Sequence, residues 1–275
     1  MLKVGFISYL NAFPFYYPFL KDQQDKWQFS VKRPGILNKM LAAGELDISL
    51  VSFMEYAARK DQYQLIPGIA LSSKGYVDSV RLLSKVPLKE LSGCEIRTTN
   101  ASATSAAIMQ ILLRENGVKN FTCRTYEVEE GLPECTAALT IGDEALIDRG
   151  SEFKYVYDLG EMWQQTFKRN VVFAACAVRR DSLKSKFNEI CEFTGLLQKA
   201  PANSFANKAA FEQACLELYP EIKAPMAYLD RLHFEMGREE EQDMQLVLDK
   251  AYEHGLIPQA VKPQYFNPHM ELTSE

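Results

Sequence analysis

The run NASATS lies between a strand-like segment, CEIRTT, and a helix-like one, AAIMQILLRENG, and so gathers Thr98, Thr99, Ser102, Thr104 and Ser105 at a helix start. Hydroxyls and unpaired backbone N–H groups at such a start make a neutral cradle for a carboxylate or a phosphate. The same residues serve equally well as ordinary N-caps. The run lacks the GxGxxG and GxxxxGK[ST] spacings, which argues against a dinucleotide or ATP. Asn11 follows the strand-like LKVGFISYL, and its amide can both give and accept hydrogen bonds toward a ligand or simply close a turn. Ser52 and Ser79 end strand-like segments and are expected on the same sheet edge. Asp143, in LTIGDEAL, follows a strand and a glycine, where a carboxylate either caps the next helix or enters a cleft.

Other chemistries find little support. The three histidines, His233, His254 and His269, all fall in the C-terminal tail without HExxH spacing, so no metal is expected. There is no GxSxG elbow for acyl transfer. Six cysteines are scattered without a CxxC pair and read as free thiols. No cofactor is expected, and the chemistry must need few protein acids or bases.

Alternating strand and helix patterns must position these residues. LKVGFISYL reads as a buried strand, a helix opens near Pro34 and closes at Gly44, DISLVSF reads as a strand, and a helix follows from about Met54. Strand-like YQLIPGIALSS and YVDSVRLLSK come next, then VPLKELSG, whose proline and glycine suit a crossing between lobes. A second α/β unit follows, VVFAACAVRR returns as a strand, and the rest is helical. A chain of 275 residues suits two lobes sharing strands. We therefore expect an α/β protein with a discontinuous first lobe, 1–85 plus 174–275, and a second lobe, 86–173. A net charge of -5 gives no footprint for nucleic acid, and no apolar stretch reaches the roughly 20 residues of a membrane helix. The first residues lack the pattern of a secretory signal, so a cytoplasmic protein is expected.

Several segments in order, ISYLNAFPF, PGILNKMLAAGELDISLVSFMEYA, GYVDSVRLLSKVPLKELSG, SATSAAIMQILL, AALTIGDEAL, VYDLGEMW, YLDRLHFEMG and AYEHGLI, together resemble the chorismate dehydratase family of the futalosine route to menaquinone. The resemblance implies a two-lobed, type II periplasmic-binding-protein-like fold with a cleft between the lobes. It also implies a hydro-lyase that converts chorismate to 3-[(1-carboxyvinyl)oxy]benzoate and water. By the same resemblance Asn11 holds and polarises the reacting groups. Ser52, Ser79, Thr104 and Ser105, with Ser102 and Asp143 beside them, bind the two carboxylates. The substrate's own side-chain carboxylate would take the proton.

The chain departs from the family pattern at Phe53, where a second serine is common, at Gly35, and at Lys168, Arg169, Asn170 and Val171, which replace a glycine-leucine-proline-phenylalanine hinge. That last change either puts a cation near the cleft or forms a solvated loop. Two other readings remain: a non-catalytic cytoplasmic binder or sensor of a small aromatic or hydroxy carboxylate, and the related dihydroxynaphthoate-forming enzyme. The latter uses a histidine just before the position of Asp143, where this chain has Gly142.

Overall fold

The structure is a computed structural model that describes residues 1–20, 26–147, 150 and 152–268. His269 lies outside the described residues. The chain runs through β1 (Leu2–Ile7), a 3-10 turn at Leu10–Ala12, α1 (Phe13–Tyr16), β2 (Trp27–Lys32), α2 (Pro34–Ala43), β3 (Ile48–Ser52), α3 (Phe53–Ala58) and β4 (Tyr63–Ser73). Next come β5 (Val80–Ser84), β6 (Glu95–Thr99), α4 (Ala103–Glu115), β7 (Thr122–Tyr126), β8 (Ala137–Ile141), α5 (Gly142–Ile147), β9 (Tyr155–Asp158) and α6 (Leu159–Phe167). The last elements are β10 (Val171–Arg179), α7 (Arg180–Ser185), α8 (Phe187–Phe205), α9 (Lys208–Leu218), α10 (Pro225–Leu229), β11 (Leu232–His233) and α11 (Arg238–Glu253). None of the described helices is long and apolar enough to cross a membrane.

Two mixed sheets form the two lobes. The first has the strand order β11-β4-β10-β3-β1-β2 and the second β7-β6-β8-β5-β9. Strand β3 is buried along its whole length, as expected of an apolar run covered on both faces. Helix α2 opens on Pro34 at its first position and closes at Gly44, whose φ of 78° is the left-handed geometry of a helix stop.

The lobe boundaries differ from those expected at 85/86 and 173/174. Strand β5 lies between β8 and β9 in the second sheet, so residues 80–84 belong to the second lobe. Val171 and Val172 pair with Ser73 and Ser72 of β4, which places the start of β10 in the first. The proline and glycine of VPLKELSG mark only a surface 3-10 turn, Leu88–Leu91. The crossing itself runs through residues 74–79, where Gly75 and Asp78 take φ values of 83° and 69°.

One carboxylate fixes that crossing. Asp158, 4% exposed, caps α6 through Glu161 N–H at 3.0 Å and also accepts from Val77 N–H at 3.0 Å and Asp78 N–H at 2.7 Å. Asp78 in turn pairs with Arg81 and, at 2.9 Å, with Arg231. The return crossing is held from outside: Arg169 Nε meets Asp243 Oδ1 of α11 at 2.6 Å, and its Nη2 donates to Gln242 Oε1 at 3.2 Å. The Arg169 side chain therefore does not line the cleft cavity; it is tied to α11 in a partly solvated loop.

Replacing Asp158 with alanine strips two buried N–H groups of their acceptor and is expected to cost about 2–4 kcal/mol in chemical denaturation. Asp158→Asn keeps an accepting oxygen and is expected to cost clearly less. Equal losses for the two variants would show that the carboxyl acts through packing instead.

Candidate functional site

The parallel strands of both sheets point their carboxyl ends at one cleft, the usual ligand position in α/β folds. From the first lobe, the end of β1 supplies Tyr9 and Asn11 and the end of β3 supplies Ser52. From the second, the crossing supplies Ser79, the start of α4 supplies Ser102 and Ser105, and the end of β8 supplies Gly142. All seven line one cavity with about 550 Å³ of empty space, its mouth included. None of the residues lining it carries a charge.

Each serine is placed by a backbone task. Ser102 Oγ accepts from Ser105 N–H at 3.1 Å and so caps α4, while Ser52 Oγ accepts from Glu55 N–H at 3.4 Å at the start of α3. The capping and cradle readings of these residues therefore hold together: an oxygen that caps still has its own O–H to give. Ser79 Oγ accepts from the wholly buried Tyr228 hydroxyl at 2.8 Å, leaving its proton free for the cavity. The Asn11 amide also faces Tyr228. Its Oδ1 is buried and has no hydrogen-bond partner.

Two expected binding residues are placed elsewhere. Thr104 does not line the cavity; its Oγ1 accepts from Met54 N–H at 3.1 Å, joining α4 to the first turn of α3. Successive helical residues are about 100° apart, so Ser102 and Ser105 share the cavity side while Thr104 turns away. Asp143 is likewise behind the cavity, where its Oδ1 accepts from Leu10 N–H at 2.9 Å across the lobes.

Sequence reasoning missed Tyr9 and Tyr228. Tyr9 had a readable signal, because Ile7, Tyr9 and Asn11 line the cavity at a spacing of two. Tyr228 had none, since it meets Ser79 across 149 residues of chain.

Residues 2–253 match the family described as menaquinone biosynthesis. The chain belongs to that family. The chorismate dehydratase of Thermus thermophilus is 32% identical over 200 residues, 65% of this chain and 70% of that protein. Two solved structures share the family member's fold at lower identity. One is the alkanesulfonate-binding protein of Xanthomonas axonopodis pv. citri bound to MOPS, with a TM-score of 0.71 at 13% identity, covering 94% of this chain and 95% of that one. The other is the periplasmic aliphatic sulphonate binding protein of Escherichia coli, with a TM-score of 0.64 at 16% identity, covering 100% and 96%. The menaquinone-biosynthesis family member thus has a periplasmic-binding-protein-like fold.

Burial pushes the Asp143 carboxyl up to about 7; Leu10 N–H opposes this, Glu144 adds to it and Arg33 opposes it. A pKa raised by folding stabilises the fold below the unfolded value, near 4, and that contribution is lost as pH rises through about 7. Between these limits the melting temperature of the wild type is expected to fall with rising pH more steeply than that of Asp143→Asn. Parallel melting profiles would remove Asp143 from this role.

Proposed function

We propose that this protein is a chorismate dehydratase, a hydro-lyase that forms 3-[(1-carboxyvinyl)oxy]benzoate and water in the futalosine route to menaquinone. The observation that carries the reading is the lining of the cleft: an uncharged, largely apolar wall set with hydroxyls, Ser52, Ser79, Ser102 and Ser105 among them, and with one orphaned acceptor, Asn11 Oδ1. Chorismate is a dianion whose only hydrogen-bond donor is its ring hydroxyl. Family membership and the chorismate dehydratase relative point the same way.

The reaction asks little of the protein. The ring carbon bearing the enolpyruvyl ether is conjugated, through one C=C bond, to the ring carboxylate, so its proton is vinylogously acidic. Its C–H bond breaks, a ring C=C forms, and the neighbouring C–O bond breaks with its electron pair on oxygen. Aromatisation drives the step. No lining residue is an imidazole, amine or carboxylate, so the enolpyruvyl carboxylate takes the proton and passes it to the departing hydroxide. Water leaves and the protein is unchanged.

The charge that develops spreads onto the ring carboxylate, where preorganised donors stabilise it. Ser52, Ser102 and Ser105, with the N–H groups opening the 13-residue α4, suit that task. The chain Tyr228 to Ser79 polarises a further hydroxyl toward the second carboxylate. Asn11 Oδ1 accepts the hydrogen of the ring hydroxyl and so fixes the leaving group. Closure of the lobes excludes water.

Purified protein is expected to convert chorismate to the enolpyruvyl benzoate, as followed by chromatography. Asn11→Ala is expected to lower kcat by roughly 10²–10³, the usual loss for one preorganised polar contact. Binding of chorismate without turnover would instead favour a binder or sensor, and an unchanged rate in Asn11→Ala would end the assignment of that residue.

A further inference from the structure

Tyr228 stands between two residues of the cavity wall that lie far apart in the chain. It lines the cavity itself, is 3% exposed, and donates its hydroxyl hydrogen to Ser79 Oγ at 2.8 Å. Its other neighbour is the Asn11 side chain, with which it shares a hydrogen bond. A phenol has one hydrogen to give. With that hydrogen on Ser79, the Tyr228 oxygen meets Asn11 only as an acceptor, so the end of the amide turned toward it is the Nδ2 donor. The opposite end, Oδ1, is then left without a partner in the protein, as is found. The two ends of an amide are told apart by the network around them. Here the direction of the Tyr228 bond and the orphaned oxygen agree on which way round the amide lies.

The positions of all three groups are set from outside the cavity. Tyr228 lies in α10, and its carbonyl accepts from Arg231 N–H at 3.1 Å. The Arg231 guanidinium reaches Asp78 Oδ2 at 2.9 Å, one residue before Ser79, so the turn that carries the phenol is pinned to the crossing at two neighbouring points. The Ser79 carbonyl accepts from Gly142 N–H at 2.7 Å. Asn11 sits on the turn fastened by Leu10 N–H to Asp143 Oδ1 at 2.9 Å. Burial pushes the Tyr228 phenol well above its ordinary value, so its single hydrogen stays in place and the direction of the chain with it.

We propose that Tyr228 is a positioning residue that fixes the polarity of the site: it holds the Asn11 amide with Oδ1 toward the ligand as an acceptor, and turns the Ser79 hydroxyl toward the ligand as a donor. The catalytic consequence rests on the chorismate dehydratase reading and deepens it. The hydrogen bonds run one way, from Asn11 Nδ2 to Tyr228, from Tyr228 to Ser79, and from Ser79 into the cavity. Reversed, the same three residues would present the amide's donor to the leaving hydroxyl and leave the hydrogen of that hydroxyl unmatched. Run this way, the chain takes a ring hydroxyl at one end and a carboxylate at the other, and each contact strengthens the next.

The test is Tyr228→Phe, which keeps the ring and its packing, in wild-type and Asn11→Ala backgrounds, with steady-state kinetics on chorismate and melting curves to confirm folding. In the wild-type background kcat is expected to fall roughly 10-fold, the scale of coupling within one hydrogen-bond network, with KM changed only a few-fold. In the Asn11→Ala background the same substitution is expected to cost much less, because no amide is left to orient. Equal factors in the two backgrounds, or a loss confined to KM, overturn the proposal. A second arm needs no turnover. In protein carrying isotope-labelled asparagine, the NMR signal of the side-chain NH2 that Asn11→Ala removes is expected to shift in Tyr228→Phe. It is also expected to shift in Ser79→Ala, which frees the phenol hydrogen to turn onto Asn11 Oδ1, and this variant decides should Tyr228→Phe fail to fold. A signal left in place by either folded variant overturns the proposal. A folded wild type that leaves chorismate unchanged ends the dehydratase reading, and the spectra then decide the orientation of Asn11 on their own.

Discussion

The hydrogen bond from Leu10 N–H to the Asp143 carboxylate fastens the turn that carries Tyr9 and Asn11 to the opposite lobe, 133 residues along the chain. A carboxylate taken so far out of water is costly unless its partners replace the water. One backbone donor does so only in part, which is why burial dominates its titration. The exchange gives precision at a turn that supplies two residues of the cavity wall. With this turn docked, Tyr9 lies against the Gly142 backbone and Asn11 faces Tyr228. Ser79 then receives the Tyr228 hydroxyl.

The cleft is built to take charge without supplying any. For the dianionic substrate proposed above, an arginine in the wall would bind both carboxylates strongly in ground and transition state alike, a gain in affinity with none in turnover. Hydroxyls and helix N–H groups are weaker but fixed, and fixed dipoles need no reorganisation when charge moves during the reaction. Cations are kept at the margin. Arg33 is committed to Glu144, Arg231 to Asp78, and Arg169 to Asp243.

The parts of this arrangement that are local in the chain were legible from it. Strand ends, the start of α4 and the stop at Gly44 follow from periodicity and capping chemistry, and they led to Asn11, Ser52, Ser79, Ser102 and Ser105. Orientation within a motif was harder. Thr104 is the same kind of residue as its neighbours, and only the helical rotation that turns it toward Met54 separates it from them. Pairings across the fold were not legible at all: nothing near Tyr228 announces Ser79, and nothing near Gly142 announces the ring of Tyr9. The crossing was misplaced for a related reason. Proline and glycine report a turn, whereas the lobe boundary depends on which strand β5 pairs with, a choice made by β8 and β9.

The segment around residues 167–171, where the sequence reading expected an altered hinge, follows from the same distinction between local signal and distant partner. A hinge needs a few positions able to absorb backbone change and neighbours that define its two ends. Lys168, with φ of 55°, and Gly75 and Asp78 in the other crossing provide the first. The second comes from elsewhere: Asp158 grips residues 77 and 78, and Asp243 of α11 grips Arg169. The two crossings also meet, since Val171 opens β10 opposite Ser73 at the end of β4. The Arg169 side chain is spent on α11 and does not line the cavity, so the uncharged wall of the cleft is left to its β-strand ends and helix starts.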